Sequence, residues 1–155
     1  MIRRFYGKMK FKEAFSLMRK GLKVKLPSWE GFWCWNELKQ TIEMHCNPNI
    51  AESLDIRSTD DLAFTLGNIC AEEWILYDID SSLEELHPKF NFSEALILLN
   101  HGFFLTRESW ADTNKLLTLI PPNSAVSKGT LLLRNSGAWI PSQDDILSDD
   151  WLVVL

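Results

Sequence analysis

The 155-residue chain has only three cysteines, Cys34, Cys46 and Cys70, and no two of them form a C-x-x-C pair. An odd count without that spacing indicates neither a closed disulfide framework nor a zinc ribbon, and it fits a reducing compartment. No apolar run reaches the roughly eighteen residues that span a bilayer. The start, Met1-Ile2-Arg3-Arg4-Phe5, is basic but lacks the long apolar stretch of a signal peptide. The expectation is a soluble, cytoplasmic protein with no membrane partner. Positive charge is also short: 16 Lys and Arg stand against 21 Asp and Glu, a net charge of −5. Binding along a nucleic-acid backbone draws on released counterions and a basic face, so no polymeric nucleic acid is expected. A small phosphorylated ligand remains compatible, because one or two arginines hold a phosphate bidentately whatever the total charge.

Catalytic constellations are equally sparse. There is no glycine-rich phosphate loop and no H-x-x-x-H. His45 and Cys46 are neighbours, and adjacent strand residues point to opposite faces. The acidic pairs Asp60-Asp61, Asp144-Asp145 and Asp149-Asp150 read as turns and solvated faces. The chain is therefore expected to be no enzyme, with no catalytic residues, no metal and no cofactor.

What the chain does have is a pattern written twice. Phe11-Lys12-Glu13-Ala14, Gly21 and Trp29 return 81 residues later as Phe92-Ser93-Glu94-Ala95, Gly102 and Trp110. Ile56-Arg57, Ile69 and Glu72-Glu73-Trp74-Ile75 return 77 residues later as Leu133-Arg134, Ile146 and Asp149-Asp150-Trp151-Leu152. Two copies of one module follow. They occupy residues 1–78 and 90–155, joined by an acidic, partly helical linker at 79–89. A duplicated module takes the place of a symmetric dimer, so the predicted fold is α+β: two tandem modules forming a pseudo-twofold dimer.

Within each copy, Phe11, Ala14, Phe15 and Met18 share one helical face, ended by Gly21 at the C-cap position. Phe92, Ala95, Leu96 and Leu99 repeat it, with Asn91 as N-cap and Gly102 at the end. Short strands follow each glycine, and further strands are expected at Phe32 to Trp35 and Leu116 to Ile120, with loops at His45 to Glu52 and Pro121 to Lys128. Leu131 to Arg134 reads as a strand turning at Asn135-Ser136-Gly137. Ser142 caps a single helical turn before the buried strand Trp151 to Leu155. Each module is thus one helix laid on a small antiparallel sheet. The seven tryptophans of the chain read chiefly as core.

These residues resemble the phage Thoeris anti-defence 1 family. The distal signature stands as Trp139-Ile140-Pro141-Ser142-Gln143-Asp144-Asp145-Ile146-Leu147-Ser148-Asp149-Asp150-Trp151. The proximal one stands as Phe11-Lys12-Glu13-Ala14, Gly21, Lys23-Val24, Trp29 and Gly31. In the first copy the distal signature has decayed to Leu62, Phe64, Thr65, Leu66 and Asn68, and the second copy has Ala111-Asp112 after Trp110. The resemblance implies a binder: a sponge that sequesters cyclic ADP-ribose-type molecules or cyclic oligonucleotides without cleaving them, in an infected bacterial host. It also implies homo-oligomers with pockets between protomers, which a fused pair would build within one chain. The alternative is a non-enzymatic protein-interaction or structural phage module.

Such a ligand needs cations for its phosphates and aromatic faces for its bases. Lys25 and Arg107, at matching strand ends before Trp29 and Trp110, are candidates together with those tryptophans. Arg57 and Arg134 sit at corresponding strand-to-turn points. Trp139, Pro141, Gln143 and Asp145 lie in the distal motif, where a proline turn holds side chains rigidly, although helix capping is the plainer role of the motif's polar residues.

Overall fold

The computed structural model describes residues 7–111, 113–122 and 129–155, so the N-terminal basic segment, Asp112 and most of the loop expected at Pro121 to Lys128 lie outside the described residues. The protein is α+β, with five helices and two five-stranded antiparallel sheets among the described residues. They divide into two compact units, Gly7–His87 and Pro88–Leu155. None of the helices is long and apolar enough to cross a membrane.

The first unit runs α1 (Phe11–Met18), β1 (Lys23–Lys25), β2 (Phe32–Asn36), β3 (Thr41–His45), β4 (Leu54–Asp55), a 3-10 turn (Ile56–Ser58), α2 (Leu62–Ile69), β5 (Ile75–Tyr77) and α3 (Ile79–Leu86). Its sheet order is β4-β3-β2-β1-β5. The second unit runs α4 (Phe92–Asn100), β6 (Phe104–Arg107), a 3-10 turn (Glu108–Trp110), β7 (Leu117–Ile120), β8 (Thr130–Leu133), β9 (Gly137–Ala138), α5 (Gln143–Leu147) and β10 (Trp151–Val154). Its order, β10-β6-β7-β8-β9, is the same topology read from the other edge.

The two cores repeat each other. Met9, Ala14, Leu17, Met18, Leu22 and Val24 are buried in the first unit, and Phe90, Ala95, Leu98, Leu99, Phe103 and Leu105 in the second. Each pair is 81 residues apart. Met9 bridges Trp74 and Phe90 bridges Trp151, closing each unit's ends together. The buried helix stripe is therefore Ala14, Leu17 and Met18, and its counterpart Ala95, Leu98 and Leu99, rotated from the face that the periodicity alone suggests. Phe11 and Phe15 flank it, stacked on each other at 5.9 Å between centroids, because rings that large cover the edge of the indole cluster rather than fit beneath the helix.

Local signals act as expected at the helix ends. Asn91 Oδ1 accepts from the Glu94 amide while Glu94 returns a carboxylate to the Asn91 amide, a reciprocal capping box. Ser142 and Asp145 form the same box on α5. Gly21 adopts φ +97°, and a Cβ there would sit 2.7 Å from Leu86 Cδ1. That contact shows where the acidic segment after the first sheet goes. It forms α3, burying Ile79, Ser82 and Leu83 within the first unit, because its apolar residues recur at helical spacing.

The strand registers revise two equivalences between the copies, one read from matching strand ends and one from the 77-residue offset. Lys25 pairs with Ile75 whereas Arg107 pairs with Trp151. Trp74 corresponds to Trp151, so Leu26, not Lys25, stands at the place of Arg107. Likewise Arg57 follows the fourth strand, β4, and Arg134 the third in order, β8. The loops differ in length between the copies, and that slides the strands against the offset. The decayed distal segment keeps a helix. It folds as α2, capped by Asp61, whose side chain accepts from the Phe64 amide.

Candidate ligand site

Three of the predicted second-unit residues, Arg107, Asp145 and Trp139, belong to structure first. Arg107 is 6% exposed, and four of its five N–H groups are committed. Nε donates to Asp150 Oδ1 at 2.8 Å, one terminal nitrogen donates to Asp144 Oδ2 and Asp145 Oδ1 at 2.8 Å each, and the other donates to the Ser148 hydroxyl. Burial alone would lower its pKa, but the bonds to Asp150, Asp144 and Asp145 outweigh burial and raise it. Burial likewise favours the neutral form of Asp145 and Asp150, yet Ser142 and Arg107 hold Asp145 below its usual value and Arg107 and Ser109 do so for Asp150. This lock ties α5 and the start of β10 to β6. Asp145 therefore serves as cap and lock rather than facing a ligand freely. Trp139 packs against Trp110, Trp151 and Phe92 at 6.0, 6.0 and 6.4 Å. Pro141 is half-buried and Gln143 is exposed on α5.

The sheet brings Trp110 and Arg134 together instead. Two open depressions, of about 870 and 490 Å³, lie on the second unit's sheet and share Leu116, Arg134, Asn135 and Val154. The larger has an apolar floor of Phe104, Leu116, Leu132 and Val154. The smaller is lined by Trp110, Asn114, Lys115 and Asn135 around Arg134. Arg134 is exposed, and its guanidinium makes no hydrogen bond or ion pair with a described residue. The Lys115 ammonium lies 5.3 Å from the Trp110 ring centroid. Asn114 and Asn135 both turn the chain at positive φ, 51° and 66°, where asparagine is tolerated. No aspartate, glutamate, histidine or cysteine side chain lines either depression among the described residues.

Lys115, Asn114 and Asn135 are missing from the ligand candidates picked out by sequence, Asn135 having been read only as a turn residue. A usable signal existed: Asn-Lys one residue before β7 and Asn immediately after Arg134 are turn residues flanking two strands of one hairpin, whose ends must meet.

The first-unit candidates are scattered. Lys25 Nζ donates to the Trp29 carbonyl at 2.6 Å and lies 5.8 Å from the Tyr77 ring. Arg57 is clamped bidentately on Asp55, Nε donating to Oδ1 at 3.0 Å and a terminal nitrogen to Oδ2 at 2.6 Å, which holds the Asp55 carboxyl well below the usual range. Trp29 packs on Trp33 and Trp74 at 5.4 Å each and lines a 390 Å³ cavity with Trp33, Phe64 and Glu30. No lysine or arginine lines that cavity among the described residues, so it suits an anion less well.

No curated protein matches the chain. Residues 90–154, from α4 to the end of β10, match the family model described as Tad2-like, the Thoeris anti-defense 2-like domain, so the second unit, which carries the Arg134 depression, is similar to a Thoeris anti-defence domain.

Proposed function

We propose that this protein is a phage anti-defence protein that binds a phosphorylated cyclic nucleotide signal of its bacterial host and holds it uncleaved, through the second unit. The observation that carries this reading is Arg134: a guanidinium without a partner among the described residues, at the junction of an apolar trough and a rim where Lys115 lies against Trp110. The two cations suit phosphates, the indole suits a base, and the turn amides suit ribose or base edges. No acidic side chain in the described lining opposes an anion. The sequence pattern resembles the anti-defence 1 family and the matching family model is anti-defense 2-like; the common ground, a Thoeris anti-defence domain, is what we take from both, and sequestration of the signal is our own reading. Homo-oligomers are part of this reading, as is action in the cytoplasm of the infected cell.

Calorimetry against cyclic ADP-ribose isomers and cyclic di- and trinucleotides tests it. A ligand that binds stoichiometrically, weakens at least tenfold in Arg134→Ala and leaves a denatured complex intact supports the sponge. Turnover of excess ligand sinks it.

A protein-interaction module is the second reading, favoured by Ile140 and Leu147, which stand 88% and 74% exposed beside and on α5. A stable complex with a protein, and no response to any nucleotide, would select it.

A further inference from the structure

The outer face of the β2–β3 hairpin gathers a sulfur, a nitrogen and an oxygen ligand. Cys34 pairs directly with Glu43 across the hairpin, and Phe32 pairs with His45. Residues two apart on a strand share a face, so Cys34, Glu43 and His45 project to one side. One ligand atom from each lies within 4.8 Å of the other two, and all three residues are half-buried.

We propose that Cys34, Glu43 and His45 bind a zinc-type divalent ion, with solvent as fourth ligand. Tetrahedral zinc with bonds of about 2.0–2.3 Å separates its ligands by about 3.3–3.8 Å, so small side-chain rotations close the site. The supporting groups are in place. Asn36 Nδ2 and Lys39 Nζ both donate to Glu43 Oε1, at 2.9 and 3.0 Å, which orients the carboxylate and leaves Oε2 for the ion. The His45 ring is held flat against Phe32, at 4.6 Å and 16°, and neither ring nitrogen bonds a described residue. Lys39 neutralises part of the carboxylate charge, and Lys23 lies 4.9 Å from the Phe32 ring on the same face. Those cations disfavour calcium or magnesium, whose binding rests on charge and oxygen. A sulfur–nitrogen–oxygen set selects zinc or cobalt. On binding, the Cys34 S–H proton passes to solvent as the metal–sulfur bond forms.

Titration of the full chain with Co²⁺ tests the site. The expected result is saturation at one equivalent with a near-ultraviolet thiolate charge-transfer band. Cys34→Ser abolishes the band, while His45→Gln and Glu43→Gln each weaken binding about tenfold or more. Cys46→Ser with Cys70→Ser leaves it intact. The Glu43 and His45 variants keep the test sound should Cys34→Ser fold poorly. Absence of the band, or a band unchanged by His45→Gln and Glu43→Gln, overturns the proposal.

Discussion

Trp33 and Trp139 do the same packing job in their respective units from unrelated positions in the chain. Trp33, on β2, meets Phe11, Trp29 and Trp74 at 6.1, 5.4 and 5.1 Å. Trp139, just past β9, meets Phe92, Trp110 and Trp151, the counterparts of those three, at 6.4, 6.0 and 6.0 Å. Where β2 places Trp33, β7 places the smaller Leu117: Val24 pairs with Trp33 and its counterpart Leu105 pairs with Leu117. The fourth ring of each cluster thus comes from the sheet in one unit and from the distal motif in the other. That explains why the first copy tolerates Leu62, 64% exposed, at the position matching Trp139.

Trp33→Ala should therefore cost the first unit about 3–5 kcal/mol, the range for removing a buried aromatic ring. Trp33→Leu combined with Leu62→Trp should recover part of that, since it recreates the second unit's arrangement. Urea unfolding of Trp33→Ala, of Trp33→Leu and of the double variant measures both effects; equal losses in Trp33→Leu and the double variant would show that the ring's slot is not transferable.

The lock around Arg107 makes a second prediction, and the first unit supplies its control. Arg107→Leu leaves Asp145 and Asp150 facing each other's charge in a buried site and should cost about 3–5 kcal/mol. Adding Asp145→Asn recreates the Leu26 and Asn68 pair of the first unit and should restore at least about 1 kcal/mol by removing one unpaired charge. A double-mutant cycle in urea reads the coupling.

Acid should act through the same residues. Asp145 and Asp150 have folded pKa values below their ordinary ones. Their contribution is complete above the unfolded value of about 3.9 and is lost as pH falls through the folded values. The unfolding free energy of the native chain should drop steeply from about pH 4 downward, and the Arg107→Leu profile should be flatter there. Parallel urea titrations from neutral pH to about pH 3 compare the slopes.

Arg134→Ala should leave the melting temperature unchanged, because the side chain has no partner among the described residues to lose, and should weaken nucleotide binding at least tenfold. Arg57→Ala, which frees Asp55 in the first unit, should leave nucleotide affinity as it is. Calorimetry with the best ligand of the panel separates the two arginines.

Gly31 is required by backbone approach. A Cβ there would lie 1.8 Å from the His45 carbonyl oxygen. Gly31→Ala must push β3 away and should destabilise by more than about 3 kcal/mol, among the larger single-residue effects. Thermal denaturation measures it.

Much of this architecture was legible in the residues. The two FxEA helices, the glycines that end them, the Asn91 and Ser142 caps and the buried Trp74 and Trp151 all rest on interactions within a few residues or on one repeated spacing, which sequence displays directly. Even the lock has a trace: Arg107, Asp144, Asp145 and Ser148 are replaced together by Leu26, Gly67, Asn68 and Ala71. What only the tertiary structure decided was which side chains remain free. Arg107 and Arg134 are alike as sequence, a cation at the end of a strand. Partners 37 to 43 residues away consume the first, and none of the described residues reaches the second. Strand pairing and the docking of α5 determined that difference, because Arg107 pairs with Trp151 beside the acidic residues of the α5 segment and Arg134 follows the inner strand β8 at its turn.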